Sequence, residues 1–172
     1  IESPPFHEEV RAADFARRLR ELGLADVRID AEGNVIGVRP GSGGGPRLAL
    51  AAHLDTVFPA GTDVKVRRDG DRCLGPGISD NARGLAVLLQ MLRTLNEQGI
   101  RTTGDLLFVG TVGEEGNGDL RGCKALFATD HSIDGFIAVD GVAVTRILAN
   151  ATGSRRYRVG YEGPGGHSYN AF

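Results

Sequence analysis

Ala12, Phe15, Ala16, Leu19 and Leu22 recur every three or four residues with mostly charged side chains between them, a spacing that puts them on one helix face. It predicts a helix over Phe6–Leu22, entered after Pro4-Pro5 and stopped at Gly23. Leu85, Leu88, Leu89, Leu92 and Leu95 form a longer stripe, which predicts a helix opened by Asp80 and closed by Gly99. A third helix is expected around Leu120–Phe127. Arg47–Ala52, Asp105–Val112 and Phe136–Val139 are short, mainly apolar runs without alternation, as in strands covered on both faces. Val27–Ile29 and Val35–Val38 flank the turn Glu32-Gly33-Asn34 and read as short strands. Val64–Arg67 and Asp71–Leu74, around Asp69-Gly70, read as a surface hairpin. Arg146–Ala149 and Arg155–Tyr161 are also expected as strands, the second alternating Tyr157, Val159 and Tyr161. Strands alternating with helices predict an α/β sandwich with a largely parallel central sheet. Near Asn150 the apolar runs give way to arginine-rich alternation, which divides the chain into residues 1–150 and 151–172.

Composition narrows the class. Hydrophobic residues make up 41% and charged residues 24% of the 172, the balance of a globular chain rather than a disordered one. No apolar run approaches the ~20 residues of a membrane span. Lys and Arg number 20 against 22 Asp and Glu, a net charge of −2, so the whole chain lacks the basic footprint of a nucleic-acid binder. Cys73 and Cys123 are too few for a disulfide framework and read as small, reduced, partly buried residues of a cytoplasmic protein. Glycine is in excess, 26 of 172, without a three-residue period, and calls for many tight turns or close backbone approaches.

The predicted core strands run into polar clusters: His53 and Asp55, Glu114 and Glu115, and Asp140. Asp80 follows a glycine-rich loop at a helix start. Sites in open α/β sheets gather at the carboxyl ends of strands, so these four segments are expected to meet in one crevice. Each has a plain explanation when taken singly: His53 as a hydrogen-bonded core histidine, Asp55 as a turn residue, Asp80 as a helix N-cap, the glutamate pair as solvated surface. Taken together, crowded carboxylates repel unless a cation neutralises them. One imidazole with several carboxylates suits Zn²⁺, with Mn²⁺ or Co²⁺ as alternatives.

The segments Ala52-His53-Leu54-Asp55-Thr56-Val57, Gly75-Pro76-Gly77-Ile78-Ser79-Asp80-Asn81-Ala82-Arg83-Gly84, Gly113-Glu114-Glu115-Gly116 and Gly163-Pro164-Gly165-Gly166-His167-Ser168 occur in that order. Together they resemble the dinuclear zinc hydrolases that include aminoacylase, acetylornithine deacetylase, succinyl-diaminopimelate desuccinylase, glutamate carboxypeptidase and peptidase T. The resemblance spans nearly the whole chain. It implies a zinc-exopeptidase-like three-layer sandwich with a mixed sheet, in which residues 1–150 form the metal-binding catalytic domain. Residues 151–172 would begin an α+β lid and dimerisation domain. It implies two divalent metal ions, with His53 and Asp140 on the first, Glu115 on the second, and Asp80 bridging both ahead of a cis peptide bond to Asn81. Asp55 would orient His53. Glu114 would act as general base, taking a proton from a water between the metals and passing it to the leaving amine. His167 would give the oxyanion donor from the partner subunit of a homodimer.

The resemblance thus implies an amide hydrolase acting on a peptide or an N-acyl amino acid, and Arg155-Arg156-Tyr157 leans the expectation toward the peptidases. It also implies a further metal-binding histidine far downstream, whereas the chain starts at Ile1 and ends five residues after His167. The expectation is an N-terminal fragment of a longer enzyme, inactive alone and binding one metal ion or none. Two alternatives stand beside it. A phosphate-binding module would use Gly75–Gly84 and Gly163–Gly166, but a P-loop needs Gly-Lys-Ser/Thr, and the only lysines are Lys65 and Lys124. A non-catalytic protein on the same fold would be expected to lose Glu114 or the metal acids, and all are present. His7 and His131 lack such surroundings and read as surface residues.

Overall fold

The computed structural model describes residues 1–141, 145–167 and 169. The chain divides into two units, Ile1–Val142 and Ala143–Phe172.

The first unit is built on five strands: β1 (Asp26–Ile29), β2 (Val35–Arg39), β3 (Leu48–His53), and, after a separate hairpin, β6 (Leu106–Thr111) and β7 (Gly135–Ala138). The hairpin pairs β4 (Arg67–Asp69) with β5 (Arg72–Leu74). The sheet order is β1-β2-β6-β3-β7. β1 and β2 form an antiparallel pair, and β2 is antiparallel to β6. β3 is parallel to both β6 and β7. The sheet is therefore mixed, with parallel pairing confined to the three strands that lead into the polar clusters.

Side chains alternate across this sheet, and each face has its own cover. Leu50, Ala52 and Phe108 face the helices α1 (Glu9–Glu21) and α2 (Arg83–Glu97), packing with Phe15, Leu19, Leu85, Leu88 and Leu92. Ala49, Ala51, Leu107 and Val109 face the other way, toward Leu126 of α3 (Arg121–Thr129). Leu19, Leu88, Leu92 and Phe108 are fully buried, each stabilising the fold by ~1.5–3 kcal/mol through burial. Both long helices stop at a glycine with positive φ, Gly23 at +91° and Gly99 at +61°. In each the following residue reaches back, Leu24 to the Leu19 carbonyl and Ile100 to the Leu95 carbonyl, which closes the exposed carbonyl end.

Several elements depart from the sequence reading. α1 begins at Glu9, because Phe6 has a φ of +72° and lies outside the helix. α2 begins at Arg83 rather than Asp80, because Asp80 and Asn81 have non-helical backbone angles within the turn Ile78–Ala82. Cys73 is exposed rather than partly buried, since it lies on the solvent-facing hairpin. The two strands expected at Arg146–Ala149 and Arg155–Tyr161 are absent. Among the described residues of the second unit there is neither helix nor strand and none is buried; Tyr157, Val159 and Tyr161 are exposed. Alternation alone does not hold a strand, which needs a paired neighbour for its backbone groups. Among the described residues no helix is long and apolar enough to cross a membrane.

Candidate metal centre

Because β3, β6 and β7 are parallel, their carboxyl ends share one edge of the sheet. His53 ends β3 opposite Thr111, and Ala51 pairs with Ala138 of β7. The sheet bonding continues past these ends, from Leu54 N–H to the Thr111 carbonyl and from Val139 N–H to the Ala51 carbonyl, each at 2.7 Å. The next residues therefore emerge side by side: Asp55 after β3, Glu114 and Glu115 after β6, Asp140 after β7. Asp80 comes from the turn before α2, and its bond to Asn81 is cis.

His53 is buried and oriented from both sides. Its Nδ1 lies 2.9 Å from the Asp55 backbone carbonyl, so Nδ1 donates there and Nε2 faces the cluster. Nε2 is 2.8 Å from an Asp80 carboxylate oxygen and 3.9 Å from one of Asp140. The Asp55 carboxylate, fully buried, stands 3.6 Å from Nδ1. It accepts the backbone N–H of Glu114 at 3.0 Å and of Glu115 at 2.8 Å. Asp55 thus ties the imidazole to the glutamate turn.

Burial lowers the pKa of His53, but the Asp55 carboxylate beside it, with the charges of Glu114 and Asp140, more than reverses this and lifts it to about 9. Burial raises Asp55, and His53 with the two glutamate N–H groups outweighs it, holding the carboxyl below the usual carboxylate range. Glu114 is pushed upward by burial and by the charges of Asp140, Asp55 and Asp80, with His53 opposing. Glu115 is pushed upward by burial and by Asp80 and Glu114. The cluster therefore holds more negative charge than its own groups neutralise.

Two overlapping sets of donor atoms result, His53 with Asp80 and Asp140, and His53 with Glu114 and Glu115; within each set all atoms lie within 4.8 Å of one another. One imidazole nitrogen with carboxylate oxygens at this spacing fits a divalent cation of the Zn²⁺ class. Asp80 and Asp140 are 59% and 41% exposed, so the centre opens to solvent on their side. His167 belongs to the second unit, where its exposed ring accepts the Tyr169 N–H at 3.2 Å; Ser168 lies outside the described residues. His7 and His131 are exposed.

Sequence reasoning gave Asn81 no role beyond its peptide bond. It is buried, donates to the Val139 carbonyl at 2.9 Å and accepts the Gly84 N–H at 3.0 Å. It thereby links the turn bearing Asp80 to the strand end bearing Asp140. An Asn three residues before a glycine at a helix start was the available signal. Asn34 was read only as a turn residue. It is fully buried, accepts the Val112 N–H at 3.1 Å and donates to the Gly122 carbonyl at 3.0 Å.

Comparison with known proteins agrees with this geometry. The chain is similar to carboxypeptidase G2 of Pseudomonas sp. (strain RS-16), 36% identical over 104 residues that cover 56% of this chain and 25% of the relative. It is similar to succinyl-diaminopimelate desuccinylase of Corynebacterium glutamicum, 34% identical over 95 residues covering 55% of this chain and 26% of the relative. The crystal structure of aminopeptidase PepT from Bacillus cereus ATCC 10987 superposes with a TM-score of 0.69 at 26% identity, covering 83% of this chain and 40% of that one. The chain thus spans between a quarter and two fifths of the length of these proteins. Residues 34–158, from β2 through all the candidate metal-binding residues, match Peptidase family M28, and the chain belongs to that family.

Proposed function

We propose that the protein hydrolyses an amide bond of a peptide or an N-acyl amino acid at a centre built on His53, Asp80, Glu115 and Asp140. The observation that carries this reading is the meeting of the His53 imidazole with carboxylates from three other chain segments. His53, Asp80 and Asp140 would hold one divalent ion, and Asp80 with Glu115 a second, Zn²⁺ before Co²⁺ or Mn²⁺. When bound, such ions polarise the substrate carbonyl and lower the pKa of water. Glu114 takes a proton from the attacking water and delivers it to the leaving amine nitrogen. Its half-buried setting among carboxylates, which raises its proton affinity, supports that role. Asp55 holds Glu114 and Glu115 by their backbone and His53 by its ring.

We assign residues 1–150 to the catalytic domain and residues 151–172 to the start of a lid and dimerisation domain. His167 of a partner subunit would donate to the developing oxyanion. The carboxypeptidase, desuccinylase and aminopeptidase relatives support an amide substrate of this class. The two free cysteines support a cytoplasmic location.

The test is hydrolysis of dipeptides and N-acyl amino acids by the complete gene product, with Zn²⁺, Co²⁺ or Mn²⁺ and after chelation. Activity should follow the metal. Glu114→Gln should lower turnover ~10²–10⁴-fold while metal content is retained. No hydrolysis with any metal, or hydrolysis that survives both chelation and Glu114→Gln, overturns the reading.

A further inference from the structure

Two charged side chains at the start of α1 are buried. Glu8 is 4% and Arg11 8% exposed, a depth that charged groups seldom reach without specific partners. They stand three residues apart, in line with the apolar stripe of α1.

Arg11 donates to the Ile1 carbonyl at 2.5 Å, and the remaining backbone partners of the two lie on different segments of the candidate centre. The Glu8 carboxylate accepts the Gly113 N–H at 3.1 Å and two bonds from Arg121 at 2.8 Å each. Gly113 immediately precedes Glu114. Arg11 donates to the Leu54 carbonyl at 3.0 Å, and Leu54 joins His53 to Asp55. Each side chain thus grips the backbone within one residue of a proposed site residue. Neither is among the residues that converge on the centre.

The glutamate turn needs such a grip. Between Gly113 and Leu120 four residues adopt positive φ: Gly113 at +62°, Gly116 at +55°, Asp119 at +53° and Leu120 at +56°. Asp119 and Leu120 are not glycine, and this conformation persists only where the surroundings impose it. Arg121 follows directly, and its guanidinium bonds Glu8 on one side and Glu32 on the other. A buried ion pair is a weak source of stability, so its value here lies in where it holds the backbone.

We propose that Glu8 and Arg11 are positioning residues, one helix start fixing both the glutamate turn and the His53–Asp55 segment in register for metal binding and turnover. This rests on the reading of the centre given above. Both hold backbone beside the proposed site residues, so the effect should fall on kcat and on the metal environment rather than on KM.

The experiment uses the complete gene product with Co²⁺ as spectroscopic probe. The variants are Glu8→Leu, which removes the acceptor for Gly113, Glu8→Gln, which keeps an oxygen there, and Arg11→Met. Leu88→Ala, in the core away from the centre, is the stability control. Glu8→Leu and Arg11→Met should each lower kcat or Co²⁺ affinity ~10–100-fold, as loss of groups supporting metal ligands does. Their visible Co²⁺ spectra should shift while KM stays close to that of wild type. Glu8→Gln should recover most of the loss. Leu88→Ala should lose stability, as core Leu→Ala changes do, and keep kcat and spectrum.

Unchanged kcat, affinity and spectrum in folded Glu8→Leu or Arg11→Met overturn the proposal, as does an equal loss in Leu88→Ala. If Glu8→Leu is unfolded at the assay temperature, Arg11→Met decides. Wild type that binds no Co²⁺, or whose activity ignores Glu114→Gln, refutes the underlying reading instead and takes this proposal with it.

Discussion

Gly84→Ala is ordinarily a favourable change in a helix, by ~0.5–1 kcal/mol. Here it should be costly. A Cβ at Gly84 would fall 2.1 Å from Asn81 Oδ1 and 2.4 Å from the Val139 carbonyl oxygen. Real Cβ atoms do not approach so closely, so the Asn81 side chain must move. Its two bonds, to the Gly84 N–H at 3.0 Å and the Val139 carbonyl at 2.9 Å, are lost together. Asn81 is 1% exposed, and water does not readily replace them. Two buried groups left unmade cost ~1–3 kcal/mol each; set against the helix gain of ~1 kcal/mol at most, the net destabilisation is ~1–5 kcal/mol.

Urea denaturation of the metal-free protein measures this as a lower midpoint at unchanged slope. Asn81 adjoins Asp80, and Val139 adjoins Asp140, so the same substitution should also weaken metal binding. In an Asn81→Ala background the cost should shrink to what the Val139 carbonyl imposes. A Gly84→Ala protein within ~0.5 kcal/mol of wild type, the scatter of inert surface changes, would refute the claim that Asn81 couples the two segments.

Asp55→Asn should be nearly as damaging despite its equal size. The carboxylate serves the Glu114 and Glu115 N–H groups with separate oxygens, whereas a carboxamide turns a donor toward one of them. A loss of ~1–3 kcal/mol by denaturation, together with reduced turnover, is expected; an unperturbed melting curve would count against it. Asp130 sets a pH dependence. Its hydrogen bond from Ser132, with Arg47 at 2.8 Å, holds its carboxyl below the ordinary value. Its stabilisation is therefore complete above the unfolded carboxyl pKa of ~3.9 and is lost as pH falls through the lower folded value. Arg47→Met should be less stable than wild type at neutral pH, with the gap narrowing in acid. A gap that is constant from neutrality to pH ~2, below the reference pKa, would contradict this.

The elements that carry chemistry were legible because their signals are local. Continuous apolar runs marked β3, β6 and β7, and polar clusters at their ends marked the residues that converge there, since a parallel sheet sends those ends to one edge. Helical spacing found α1 and α2. The same local logic failed where the deciding contact is distant. Arg155–Tyr161 has the alternation of a strand, yet pairing is a property of two segments, and these side chains are exposed. Asp80 reads as an N-cap by position, yet Asn81, one residue on, accepts the Gly84 N–H.

The supports of the site were hidden for a related reason. Glu8, Arg11, Asn34 and Asn81 all act on backbone N–H or carbonyl groups. Backbone groups are the same at every residue, so nothing at Gly113, Leu54, Val112 or Val139 announces a partner. Many side chains of suitable reach and polarity would satisfy such a bond, and no motif arises. What the sequence does contain is a conflict: Glu8 and Arg11 extend the apolar stripe of Ala12, Phe15 and Leu19 with charges. A charge on a buried face must either be paired or be costly. A charged residue in step with an apolar stripe is thus the one local sign that a helix is holding something beyond itself, and here both such residues hold backbone next to the metal centre.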